Sequence, residues 1–191
     1  MTQAKPKFYT FEQYLSYENE TDKLYELMNG ELVELPPESG ENIEIANFLF
    51  ALLLPIIGYR RLRGHGLELE VWGEPKNRYP DLTIIREEHL EQLKRRNTIR
   101  LSMAPPLLVI EVVSPGEANR ERDYTDKRKQ YQDRGISEFW IIDPQDRVIT
   151  VLQIENGKYV TGGQFRGSDR IHSTIIEELQ LTAEQVFMAS K

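Results

Sequence analysis

The chain has 191 residues, 39% of them hydrophobic, no cysteine and a formal net charge of −7. That length and apolar share allow a real core, in one large domain or two small ones, while the lack of cysteine excludes disulfides, thiolate metal sites and a cysteine nucleophile. The negative charge argues against avid nonspecific binding of nucleic acid, which depends on phosphate neutralisation by Lys and Arg, so a nucleic-acid reading needs locally clustered positive charge.

Met1–Thr10 has no apolar h-region, so no signal peptide is visible. Thr10 is an N-cap candidate for a short amphipathic helix over Phe11–Glu18. Lys23–Leu35 reads as two strands around Asn29-Gly30, ended by Pro36-Pro37. Ile43, Ala46, Phe48, Leu49, Leu52 and Leu53 recur at helical spacing and predict a largely buried helix over Ser39–Leu54. The longest apolar stretch, Phe48–Ile57, is about ten residues with Pro55 inside, short of the ~20 of a spanning helix. The expectation is a cytoplasmic protein with no membrane partner.

Leu67–Val71 alternates apolar and acidic residues, as a half-buried strand does. Pro80–Ile85 reads as a strand with Asp81 at its start, since proline is tolerated at a strand's first residue. Glu87–Arg95 suggests a short helix. Leu107–Val113 is an apolar run interrupted only by Glu111, the pattern of a strand buried on both faces. Arg120–Arg134 predicts a charged helix closed by Gly135. Glu138–Ile142 is a second buried strand, with Trp140 in the core, and Asp143–Asp146 turns the chain into a strand over Arg147–Ile154. Further strands are expected at Lys158–Val160 and Ile171–Ile176, and a terminal helix at Thr182–Met188. No linker or repeat is visible, so one α/β or α+β domain over 1–191, with its core about 11–188, is the economical reading.

A carboxylate inside the strand of Glu111 is costly unless paired, metal-bound or protonated, which leaves a satisfied structural group and a functional one equally open. Asp81, at the start of a second buried strand, can face it, and two such acids can bind a hard divalent ion through oxygen. Asp123, Lys127 and Tyr131 recur at steps of four along one helix face. An inward lysine there reaches the acids; the alternative is an i,i+4 surface pair. Basic clusters that could follow a phosphate backbone are Arg60-Arg61-Arg63, Lys94-Arg95-Arg96-Arg100, and Arg120, Arg122, Arg128 and Lys129, each also readable as a solvated face. His65, His89 and His172 lack metal-ligand spacing and are expected at the surface.

Pro80-Asp81, Glu111 on a buried strand and a following lysine resemble the PD-(D/E)xK nuclease pattern. The wider set is similar to the Uma2 family (DUF820), restriction-endonuclease-like proteins: Tyr25–Val33, Pro80-Asp81, Leu108–Pro115, Asp123…Lys127…Tyr131, and Gly135–Pro144. The resemblance runs from about Phe11 to the C-terminus. It implies a restriction-endonuclease-like α/β fold, a central mixed β-sheet flanked by helices, and metal-dependent hydrolysis of nucleic-acid phosphodiesters. The implied cofactor is Mg²⁺ or Mn²⁺, held by Asp81 and Glu111, with Lys127 orienting the attacking water or stabilising developing charge. Glu26, Glu44, Asp123 and Tyr131 are accessory candidates. The implied partner is nucleic acid, with DNA the analogue and RNA left open, and a homodimer is allowed.

Two departures stand out. The position two residues after the acid, where the superfamily has lysine, is Val113, and Asn42 occupies the place where the family often has histidine. The alternative is a noncatalytic nucleic-acid- or protein-binding module that keeps the fold.

Overall fold

The computed structural model describes residues 7–17 and 23–190. Its first element, α1 (Phe11–Leu15), starts with a capping box in which Thr10 and Gln13 bond reciprocally. Glu18, to which the sequence extended this helix, lies outside the described residues, as does Met1–Pro6. Strands β1 (Tyr25–Met28) and β2 (Glu31–Glu34) form a hairpin. It turns through Asn29 (φ 51°) and Gly30 (φ 83°), the left-handed conformation this dipeptide tolerates best. Ser39 caps α2 (Gly40–Ile57). Then follow β3 (Leu62–Arg63), β4 (Glu68–Glu70), β5 (Asn77–Arg78), β6 (Leu82–Ile84), α3 (His89–Gln92), β7 (Thr98–Ile99) and β8 (Leu108–Val112). A continuous helical stretch comes next: α4 (Glu117–Glu121), a π-helical segment (Arg122–Lys127) and α5 (Arg128–Arg134), closed by Gly135 in the left-handed conformation. Strands β9 (Glu138–Asp143), β10 (Val148–Glu155) and β11 (Lys158–Phe165) and helix α6 (Ala183–Met188) complete the chain.

The main sheet has six strands in the order β11-β10-β9-β8-β6-β3. Only β8 and β9 run parallel, joined by the helical crossover; the other pairs are antiparallel, so the sheet is mixed. Strands β5, β4 and β7 make a smaller sheet. Side chains of β8 alternate between two cores. Leu108, Ile110 and Val112 meet Ile45, Leu49 and Leu53 of α2 and Val186 and Phe187 of α6. Val109 and Val113 meet Tyr131, Ile136 and Phe139 on the other face. Every β8 residue is buried, and each large apolar one contributes about 1.5–3 kcal/mol by leaving water.

The structure corrects several expectations. Ile171–Ile176 forms no strand; its neighbourhood has only an isolated bridge, Arg170 to Thr182. Instead Ser173 Oγ (2.6 Å), Thr174 N (2.8 Å) and Thr174 Oγ1 (2.8 Å) donate to the buried Glu138 carboxylate, so a side chain takes the place of a ladder. The acids of β4 are buried rather than facing water. Glu68 accepts from Tyr14, Asn77, Tyr79, Arg96 and Thr98, and Glu70 from Arg100 and Leu101 N, which offsets their desolvation. Helix α2 buries only Asn42, Ile45, Leu49 and Leu53, because the sheet covers just one side of it. At 18 residues and mean hydropathy 1.5, it is long and apolar enough to cross a membrane by length and composition alone, which the ten-residue stretch understated. His89 is buried, with Arg86 N donating to Nδ1 (3.2 Å) and Nε2 against Ala104 O (2.9 Å).

Candidate active site

The parity of β8 sends Glu111 to the face covered by the π segment and α5, opposite to its neighbours Ile110 and Val112. The register Leu82↔Ile110 brings Asp81, one residue before β6, level with Glu111 on that face. Pro80 cannot extend the ladder. The Asp81 side chain replaces it: Oδ2 accepts from Val112 N at 2.7 Å.

Glu111 is completely enclosed. Its Oε2 lies 2.7 Å from Lys127 Nζ, and its Oε1 accepts from the Tyr131 hydroxyl at 2.5 Å. Lys127 Nζ is also 2.9 Å from Asp123 Oδ1, which Arg122 Nε reaches at 3.2 Å. The buried Asp123 Oδ2 has no hydrogen-bond partner among the described residues. A wider π turn sits where the sequence predicted regular α spacing; Asp123, Lys127 and Tyr131 are nevertheless all buried.

Electrostatics separates the groups by role. Burial, reinforced by the neighbouring Glu111 charge, raises the Asp81 carboxyl to about 8. Burial also pushes Glu111 up, against the pull of the Lys127 ammonium. Lys127 is opposed by burial but carried up to about 12 by Glu111 and Asp123, so it stays an ammonium. Tyr131, raised by burial and by Glu111, remains a hydroxyl donor.

On the far side of Asp81, Asn42 Nδ2 donates to Val112 O at 3.1 Å. It also contacts Ser114 Oγ (3.3 Å) and Glu38 (3.4 Å). A cavity of about 280 Å³ opens over this group, walled by Glu26, Glu38, His65, Tyr79, Ser114, Arg122 and Lys127. A second, of about 580 Å³, lies across the Leu35–Glu38 strap and reaches Asp81.

The structure therefore brings Asp81, Glu111, Asp123, Lys127 and Tyr131 together. Glu26 stands at the rim, tied by both oxygens to Arg78 Nη1 (3.0 and 3.1 Å), itself anchored through Nε to Gln130 Oε1 (2.8 Å). Glu44 is exposed on α2 and makes no hydrogen bond to the group among the described residues. The basic clusters mostly serve internal pairs. Arg96 bonds Glu68, Arg100 bonds Glu70 and Glu12, Arg120 bonds Asp143 and Asp146, and Lys129 bonds Asp133. Arg122 and Lys127 alone among those arginines and lysines line the polar cavity. Sequence reasoning missed Glu38, Ser114 and Arg78; His65 is exposed, as expected, and also lines the cavity. Arg78 meets Glu26 and Gln130 across 52 positions, and Ser114 meets Asn42 and Glu38 across 72 and 76, so no local pattern announces them.

Among the described residues no three His, Cys, Asp or Glu side chains converge as a complete metal cage. A Mg²⁺-type ion does not need one: it commonly takes one or two carboxylates and fills its remaining positions with water and substrate oxygens. Asp81 supplies a buried carboxylate whose second oxygen accepts no hydrogen bond among the described residues. The oxygen donors present thus fit a hard divalent ion.

Residues 11–184 match the Uma2 family model, described as "Putative restriction endonuclease". The chain belongs to the Uma2 family. Restriction-endonuclease-like proteins generally use divalent metals. This Uma2 chain is similar in structure to a protein described as a "putative nuclease belonging to DUF820" from Anabaena variabilis, with a TM-score of 0.73 at 17% identity. The alignment covers 95% of this chain and 99% of that one. The likeness establishes the α/β fold with a central mixed sheet flanked by helices. No curated protein matches the chain.

Proposed function

We propose that this Uma2 chain, as one domain, hydrolyses nucleic-acid phosphodiester bonds, DNA first among them, with a divalent ion held by Asp81 and Glu111. The observation that carries the reading is a convergence. A buried carboxylate with an unused oxygen, Asp81, sits level with a second acid, Glu111, whose partner is the buried ammonium of Lys127, at the wall of an open cavity. Family and fold support it. When bound, Mg²⁺ or Mn²⁺ supplies a Lewis acid and an acidified water.

The chain's own residues do the rest. Lys127, fixed by Glu111 and Asp123, places a permanent positive charge where phosphorane charge develops, in a site too enclosed for water to screen it. Tyr131 holds Glu111 from its other oxygen and so positions it. Arg122 and His65 on the cavity wall offer donors to non-bridging phosphate oxygens. The test is a panel of single- and double-stranded DNA and RNA with Mg²⁺ or Mn²⁺. Cleavage is expected to fall at least about a hundredfold in Asp81→Ala and in Lys127→Ala, the scale of losing one transition-state contact. Cleavage unchanged in both variants places the activity elsewhere.

A second reading rests on its own observation. Glu111 has both oxygens satisfied inside the chain, so the polar network stands without an ion, as a noncatalytic binding module would have it. Calorimetry separates the two: millimolar Mg²⁺ or Mn²⁺ giving no heat in the wild type, together with no cleavage, selects the module.

A further inference from the structure

The apolar cavity of about 580 Å³ beside α2 has the walls of a slot. Leu35, Pro36 and Pro37 form one side of it, and Ile43, Ala46 and Phe50 of α2 form the other. Those three helix residues follow at steps of three and four, so they share one face. The small Ala46 leaves room between its two larger neighbours. Gly64 adds no side chain that would cover the Phe50 ring, to which a Cβ there would come within 3.8 Å. Asn47 and His65 also line the slot, both exposed, and neither has a hydrogen bond or ion pair among the described residues.

The slot reaches Asp81, and it shares the Leu35–Glu38 strap and His65 with the polar cavity walled by Arg122 and Lys127. An occupant that suits both spaces joins a flat apolar body to an anionic group. A nucleotide is built that way: its base has two apolar faces and a polar edge, and the phosphate follows one sugar away. The Asn47 amide offers a donor and an acceptor together, as a base edge does. The volume lies inside the ~300–1,000 Å³ of small-molecule pockets. We propose that the slot takes one unpaired nucleobase of the substrate, packed between Pro36-Pro37 and Phe50, and so sets the adjoining phosphate at Asp81. The inference rests on the nuclease reading and narrows its substrate to single strands, or to duplexes that flip a base.

Charge points the same way. The chain carries −7, and Arg96, Arg100, Arg120 and Lys129 are engaged by acids of the chain itself. Little free positive charge is left to follow the two phosphate backbones of a duplex, which is where duplex affinity chiefly comes from. Contact with a base supplies affinity that does not depend on that charge. A base stacked inside a duplex has first to be unpaired and unstacked, a cost that a single strand does not carry. Stacking tolerates any sequence, because every base has a π-face.

The test is a nuclear magnetic resonance titration of the full chain with deoxyadenosine and deoxycytidine, which carry no phosphate and need no metal. Shifts are expected at the Asn47 side-chain amide and at the backbone amides of Ala46 and Gly64, and none at Thr161 on the edge strand β11. Ala46→Phe, which fills the slot, is expected to abolish them with unchanged circular dichroism. Asn47→Ala is expected to weaken binding about fivefold, the size of one net hydrogen bond. In cleavage assays single strands are expected to be preferred over duplex at least about tenfold, and Ala46→Phe to raise KM for them more than it lowers kcat. The proposal is overturned by the absence of nucleoside shifts in the slot, by shifts that persist in Ala46→Phe, or by duplex cut as readily as single strand. The nuclease reading is judged separately, by Asp81→Ala and Lys127→Ala, and the nucleoside titration reads the slot even in a chain that cleaves nothing.

Discussion

Asp81 is asked to do two incompatible things: to sit 8% exposed beside another acid and to be an anion at neutral pH. Its carboxyl lies near 8 in the folded chain against an ordinary 3.8. Between these values the native state holds a proton that the unfolded chain has released. Without a bound cation, stability therefore falls as pH rises from about 4 to about 8 and is level on either side. A four-unit gap sets a ceiling of roughly 5 kcal/mol. Asp81→Asn keeps an acceptor for the Val112 N–H and cannot ionise. In chelator-treated buffer its urea stability should be closest to wild type near pH 4 and exceed it increasingly up to pH 8. Parallel curves for the two proteins would mean that Asp81 is solvated after all. Lys127 is the counterpart, an ammonium held by two acids. Its inward placement is readable from the spacing of Asp123 and Tyr131, but Asp123 Oδ2, left without a hydrogen-bond partner among the described residues, is not. Asp123 lies in a π turn, which adds a residue without changing the hydrophobic pattern.

Among the elements, those with a strong period or a terminal signal were legible. The Asn29-Gly30 hairpin, the Thr10 cap, the Gly135 stop and the buried β8 run each carry their cause in a few adjacent residues. Elements decided by distant partners were not. The expected strand over Ile171–Ile176 is replaced by a segment whose backbone is held by Glu138, 36 positions from Thr174. That carboxylate also accepts from Trp140 Nε1 (2.7 Å) and Gln153 Nε2 (3.2 Å). Glu138→Ala leaves these neutral donors without an acceptor and should cost at least about 1–3 kcal/mol, the range for one buried polar group left unsatisfied. Glu138→Gln keeps one acceptor oxygen and should cost less. Hydrogen exchange at the Thr174 amide separates this from a general loss of packing: it should accelerate more than exchange in β8. The site itself is legible to the extent that Asp81, Glu111 and Lys127 break an apolar or charged pattern. Asn42, Glu38, Ser114 and the chain Gln130–Arg78–Glu26 break none, because apart from the Asn42–Glu38 contact their polar atoms meet across 52 or more positions of sequence.

For the whole molecule, net charge −7 leaves an excess of negative potential where a phosphate must approach, and ionising Asp81 beside Glu111 adds to it. A divalent ion removes that repulsion, and its binding is linked to folding because the unfolded chain has no such site. Stabilisation by a ligand is RT ln(1 + [L]/Kd), about 2.7 kcal/mol at a hundred times Kd. At ~2–4 °C per kcal/mol for a chain of this size, saturating Mg²⁺ or Mn²⁺ should raise the melting temperature by about 5–10 °C. The increment should grow from pH 6 to pH 8, because at lower pH the ion must displace the proton of Asp81. It should vanish in Asp81→Asn and persist in Glu44→Gln, whose carboxylate sits out on α2 and serves as the control for nonspecific neutralisation of an acidic surface. An equal increment in all three proteins would assign the effect to surface charge and leave the buried acids without an ion to hold.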